Sequence, residues 1–357
     1  MLYKPDWEET KKRYRAWWAG EALDRCLLWI EAPKEGAPHS EPPPAPKDPV
    51  QRWTDLDYIS ELNRCQMERT FYGGEAFPTW TAGYPGHTAI PAFLGCPTRL
   101  DHETGWWDPI LRNDDWDVRD LNIAPGGRWW KFTLEMLHRA VRESRGRSIP
   151  STGAFGGAGD TLAALRGTDK LLFDVTDSPD RVRDAELYLM KMWIEVYQTF
   201  HDILSEAREG STGWFALWSP GKFYAAQCDF SCMISTPMFE QVFLPAIEMQ
   251  TRFLDHTVYH VDGVDAFRHI ATLCELPRIQ AFQVGPEAGK PDAVHYMDTL
   301  KYIQSRRKNI WIWIAPNRVE EALNNLSARG LCIYTTCDTA AEARALIENA
   351  KRWSKDR

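Results

Sequence analysis

A run of β-branched and aromatic residues, His256-Thr257-Val258-Tyr259-His260-Val261-Asp262-Gly263, ends on His-x-Asp-Gly. Residues two apart on a strand share a face, so His260 and Asp262 project together from one strand tip. A second apolar run, Leu331-Cys332-Ile333-Tyr334-Thr335-Thr336, delivers Cys337 just before a helix that begins near Thr339. Imidazole, carboxylate and thiol are metal-ligand types and acid/base groups. One reading of this trio is a mixed zinc site of His260, Asp262 and Cys337, with a fourth position open to substrate. The other is that His260 and Asp262 hydrogen-bond to hold the strand end while Cys337 is an ordinary buried thiol.

Three further positions could do chemistry or bind. Asp229, in Gln227-Cys228-Asp229-Phe230-Ser231, is placed as a general base or substrate-positioning carboxylate, or equally as a turn cap. Gln283 ends an apolar run and precedes Gly285-Pro286-Glu287-Ala288-Gly289, a glycine-bounded loop whose Glu287 is a candidate acid. Paired with Asp229 or Asp262, Glu287 would supply the two carboxylates that glycoside hydrolysis uses. The chain carries 17 Trp. Indole rings serve as core anchors or as the walls of a pocket. Trp214, Trp218, Gln283 and Tyr259 are the candidates for substrate contact.

These groups need a scaffold, and the pattern around them alternates. Helical stretches are predicted over 6–21, 54–72, 129–143, 178–208, 237–254, 266–274, 297–306, 319–326 and 339–353. Strands are predicted over 26–30, 148–155, 214–218, 256–262, 279–284, 310–314 and 331–335. Strands separated by helices imply a parallel sheet with helical crossovers. The expected fold is α/β, a closed (β/α)8 TIM barrel of one domain. Residues 1–128 would add N-terminal helices and long irregular loops around its mouth. An open doubly wound sheet is weakened by the absence of a G-x-G-x-x-G turn.

A net charge of −8 with well-mixed signs argues against nucleic-acid or anionic-membrane partners. The 8 cysteines lack C-x-x-C pairs, so neither a disulfide framework nor a zinc ribbon is expected. Residues 1–20 are charged and amphipathic without a signal-peptide core, and no apolar run reaches membrane-spanning length. The expectation is a cytoplasmic protein with free thiols, a homodimer if an aromatic patch is exposed.

Three segments carry a family resemblance. Ser235-Thr236-Pro237-Met238-Phe239 through Pro245 resembles the S-P-x-x-F-x-x-x-x-x-P helix start of the uroporphyrinogen decarboxylase superfamily. Gly159-Asp160-Thr161 through Gly167 sits where that superfamily has a post-strand segment. His260-Val261-Asp262-Gly263 is similar to the H-x-C-G strand end of its zinc-dependent, corrinoid-linked methyltransferases, and Cys337 falls at their last zinc ligand. The resemblance spans roughly residues 150 to 353. It implies a TIM barrel, a small methylated substrate, zinc, and a corrinoid supplied by a partner protein. Asp262 stands where those enzymes have Cys, which makes the metal site harder and suits an oxygen substrate, or no zinc at all. Porphyrinogen decarboxylation is not expected, because the N-terminal arginine and aspartate motif is unmatched by Arg13, Arg15 or Arg25. A glycoside hydrolase or lyase with paired carboxylates, and a non-catalytic binding barrel, are the alternatives.

Overall fold

The structure, a computed structural model, describes residues 1–36, 41–286 and 289–356. Its strands in chain order are β1 (Leu27–Pro33), β2 (Thr70–Gly74), β3 (Thr79–Trp80), β4 (Thr98–Leu100), β5 (Gly105–Trp107), β6 (Ile149–Pro150), β7 (Phe223–Ala226), β8 (His256–Asp262), β9 (Ala281–Gly285), β10 (Asn309–Trp313) and β11 (Leu331–Thr336). Seven of them form one sheet in the order β2-β1-β11-β10-β9-β8-β7. Every neighbouring pair is parallel except β1 and β2. Parallel neighbours need crossovers. Helices such as Leu244–Phe253, Met297–Ser305 and Val319–Asn325 provide them.

Backbone ladders do not close this sheet into a ring among the described residues, which departs from the expected closed barrel. What is drawn is a mixed α/β fold around a central parallel sheet, with edges at β2 and β7. The cause is local. β2 folds back along the free side of β1, from Trp29 opposite Gly74 to Pro33 opposite Thr70. Gly74 makes this fit, since its φ is +59° and a Cβ there would lie 2.2 Å from the Leu28 carbonyl oxygen. β3 and β6 pair with each other for only two residues each.

The sheet nevertheless wraps around one core. Trp29 of β1, Ala225 of β7, Val258 of β8 and Trp311 of β10 all belong to the same buried cluster, so the two edge regions share an interior. The alternate residues, among them Ile30, Tyr259, Val261 and Ile333, face a second core under the helices. Period-two alternation thus divides the strands of this sheet between two interiors.

The helix Trp7–Trp18 covers the end where the parallel strands begin. Trp18 packs 4.4 Å from the His256 ring and donates its indole N–H to the Trp218 carbonyl at 2.9 Å. Asn309 at the start of β10 donates to the Trp17 carbonyl at 2.6 Å. Beside it the buried Arg25–Glu75 pair meets fork to fork at 2.7 Å, and Glu75 also accepts from the Leu28 amide at 2.8 Å.

Residues 214–218, expected as a strand, are irregular, and the strand begins at Phe223. Leu217 and Trp218 are consecutive and both buried in the inner cluster, a pattern that alternation forbids. The expected helix over 237–254 is two helices, Thr236–Val242 and Leu244–Phe253. Pro245 lacks the N–H that a continuous helix would use.

Asn309→Ala leaves the buried Trp17 carbonyl without its donor and should cost ~1–3 kcal/mol. Urea denaturation should show a lower midpoint at unchanged slope, because the exposed surface on unfolding is the same.

Candidate functional site

The tip of β8 presents His260 and Asp262 on the inner face, and the chain after β7 brings in Asp229. One ligand-capable atom from each of Asp229, His260 and Asp262 lies within 4.8 Å of the others. Asp262 is exposed at the rim, whereas Asp229 and His260 are half-buried. The Gln283 amide oxygen faces His260 Nδ1, which places the ring proton there and leaves Nε2 bare. Burial lowers the His260 pKa against the opposing effects of Gln283 and Asp262, so the ring is a neutral donor. Its faces are walled by Trp214 and Phe215, with ring centres at 5.1 and 5.3 Å.

Behind Asp229 stands a second carboxylate, Asp160. The Gln227 amide N–H2 donates to Asp160 at 2.9 Å and to Asp229 at 3.1 Å, clamping the two together. Asp160 also accepts from the Phe230 amide at 3.0 Å. The loop before it makes this approach feasible. Gly159 has a φ of +76°, and a Cβ there would meet Cys228 Sγ at 2.6 Å. A Cβ on Gly157 would meet the Gln227 carbonyl at 2.9 Å. From the helix Pro179–Leu204, Glu186 accepts the Gly159 amide at 2.9 Å, and Trp193 donates to the Gly156 carbonyl at 3.0 Å.

The electrostatics follow from burial and like charge. Asp229 is pushed up to about 8 by burial, then by the charges of Asp160 and Asp262. Its Oδ1 is buried without a hydrogen-bond partner. Burial likewise raises Asp160, opposed by its bonds to Gln227 and Phe230. Negative charge has been gathered here faster than donors to satisfy it.

A cavity of about 720 Å3 opens beside these groups. Asp160, Gln227, Asp229, His260 and Trp214 form one end, while Tyr84 and Trp107 come from the long irregular stretch between β3 and β6. Its part before residue 128, expected as long irregular loops around the mouth, lines the cavity and carries the short strands β4 and β5.

The expected site residues divide sharply. Asp229, His260, Asp262, Gln283 and Trp214 come together. Cys337 does not join them: it is 7 % exposed, and it belongs with Ile333 to the outer core under the helices. Its amide donates to the Glu31 carbonyl at 2.9 Å. Tyr259 falls on the same outer side for the same reason of parity, one residue from His260. Trp218 lies in the inner core, packed edge-on against Trp7 and tilted against Tyr14 at the end covered by the N-terminal helix, away from the strand tips. Glu287 lies outside the described residues. Asp160 and Gln227 complete the site. Asp160 reads in the sequence as a helix N-cap, yet Gly159 occupies the cap and the Asp160 side chain turns to Gln227. The run of glycines ahead of it, each permitting close approach, was the available signal.

The sequence matches no protein-family model and no curated protein. Among solved structures, a methyltransferase from Methanosarcina mazei superposes with a TM-score of 0.62 at 12% identity, covering 96% of this chain and 98% of that one. The chain therefore shares the fold of that structure along nearly its whole length. Among the described residues no helix is long and apolar enough to cross a membrane.

Glu186 offers a separate test of this buried acidity. Burial raises its carboxyl to about 8, with the Gly159 amide opposing and Asp160 reinforcing. The folded state therefore holds a proton that the unfolded chain releases near pH 4.3, so this contribution to stability is complete at acid pH and fades toward about 8. Glu186→Gln keeps an acceptor for the Gly159 amide and removes the titration. Its melting temperature, relative to the parent protein, should rise between pH 5 and pH 8.

Proposed function

We propose that this chain is a methyltransferase of the uroporphyrinogen decarboxylase-like barrel group. It takes a methyl group from a small methylated compound and works with a corrinoid protein partner. The observation that carries this reading is the convergence of Asp229, His260 and Asp262 at the strand tips beside a cavity. The methyltransferase fold supports it. In this reading the whole chain is one barrel, with β3 and β6 supplying the two strands that complete eight between β1 and β7.

The donor set fits a zinc ion. His260 Nε2 is bare because Nδ1 is engaged by Gln283, and Asp229 Oδ1 is buried without a partner. Imidazole nitrogen and carboxylate oxygen are ligand types that zinc takes, and one such atom from each of the three residues lies within 4.8 Å of the others. Asp229, His260 and Asp262 would hold the ion, in place of the expected set that included Cys337. When bound, it supplies Lewis acidity to the heteroatom that carries the methyl group.

The protein's own residues do the rest. Gln283 fixes the His260 tautomer, and Gln227 fixes the rotamer of Asp229. Trp214 and Phe215 exclude water from the inner side of the imidazole. As the methyl group leaves, its bond to the heteroatom breaks with the electron pair remaining on that atom. A nucleophile on the partner would contribute the pair for the new bond. The heteroatom takes its proton from solvent on the exposed Asp262 side. The paired-carboxylate alternative rests on Glu287, which lies outside the described residues, whereas the methyl-transfer reading rests on groups that converge.

Elemental analysis of the purified protein should find zinc near one equivalent. His260→Ala and Asp229→Ala should each lose it, and Cys337→Ala should retain it. Retention by the first two with loss from Cys337→Ala would reverse the ligand assignment. Absorbance of an added corrinoid protein, followed with methylated donors, then reads the transfer itself.

A further inference from the structure

We propose that the methyl donor is a bulky, mostly apolar compound without acidic groups, whose body fills the cavity while its methylated atom faces Asp229 and His260. The inference rests on the methyl-transfer reading and specifies its substrate class.

Size is the first argument. The cavity holds about 720 Å3. A methanol-sized donor is little larger than a water molecule, whose share of liquid volume is about 30 Å3, and would leave most of that space unfilled. Pockets of roughly 300–1,000 Å3 are those that enclose drug-sized molecules. The space is created by side chains withheld: Ala154, Ala163, Ala164 and Gly167 line it where larger residues would fill it.

The wall is also preformed. Trp107 donates its indole N–H to the Gly86 carbonyl at 3.1 Å, and a Cβ on Gly86 would lie 2.6 Å from the Trp107 ring. Gly86 has a φ of +98°, so the chain there is already shaped to admit the indole. Tyr84 and Phe230 add further aromatic surface. Flat apolar bodies gain most from such walls.

Charge is the third argument. No Lys or Arg is among the described residues lining the cavity, whereas Asp160 and Asp229 both line it. Asp262 stands at its edge, within 4.8 Å of Asp229 and His260 by its ligand atom. Away from the His260 end, an acidic group on the donor would be buried with no cation to pair with. The neutral polar groups available are the hydroxyls of Thr104, Thr161 and Thr168, suited to ether, hydroxyl or carbonyl oxygen.

The test uses two probes of nearly equal shape, 4-methoxybenzyl alcohol and 4-methoxybenzoate, titrated into the full-length protein stripped of zinc, where neither probe has a metal to coordinate. Quenching of tryptophan fluorescence reports binding, because Trp107 and Trp214 line the cavity. The alcohol should bind and the carboxylate should bind at least ~10-fold more weakly, because a carboxylate buried there has no cation to pair with. Ala164→Phe should abolish binding of the alcohol while leaving zinc content unchanged. Thr168→Phe, at an exposed position, repeats the obstruction should the first variant fold poorly. Equal binding of the two probes, or binding of the alcohol unaffected in a folded obstructed variant, overturns the proposal. Failure of the methyl-transfer reading registers separately, as probe binding intact with no methyl group passed to a corrinoid acceptor.

Discussion

The strands of the seven-stranded sheet divide their side chains between two interiors, and that constraint decides what can reach the site. On β8, Val258 belongs to the core enclosed by the sheet, and His260 and Asp262 continue its line to the tip. Tyr259 and Val261, one residue out of step, pack beneath the helices. A shift of one residue in register would exchange the two sets completely. The chemistry at the mouth is therefore only as secure as the packing of the inner cluster, where Trp29, Trp311 and Phe77 hold the phase of several strands at once.

The carboxylates form a cluster that a simple solvent-facing turn would not assemble. Asp160 and Asp229 come from segments about seventy residues apart, and a single amide group, that of Gln227, bridges them. Glycines at 157 and 159 bring the backbones close enough for that bridge. Glu186 then secures the glycine loop from behind through the Gly159 amide. The arrangement spends stability on concentrated negative charge, which is the electrostatic setting a divalent ion or a proton relieves.

Much of the framework was legible in the sequence because alternating strands and amphipathic helices obey simple periods. Predicted and observed elements agree closely over the last hundred residues, from β8 to the helix Ala340–Trp353. His260, Asp262 and Asp229 could be singled out because strand ends and short following loops are where polar groups interrupt apolar runs. Cys337 misled because it lies just past the end of β11, where parity must be counted from Cys332 and Tyr334 to see that it turns outward. Residues 214–218 misled because an aromatic-rich run reads as a strand even when consecutive side chains are buried together. Asp160 was hidden because its role depends on Gln227, a partner that no local pattern connects to it.

The helix at the beginning of the chain has its own consequence for how the molecule is made. Trp17 receives its hydrogen bond from Asn309, across 292 residues of sequence, and Trp18 reaches Trp218 across 200. Contacts of such separation form slowly, because long loops must close before they are rewarded. During synthesis this helix leaves the ribosome well before the segments it packs against. Until those emerge, Trp7, Tyr14, Trp17 and Trp18 have no late strands to cover them. The segment that seals the finished protein is thus the one most dependent on protection while the chain is incomplete.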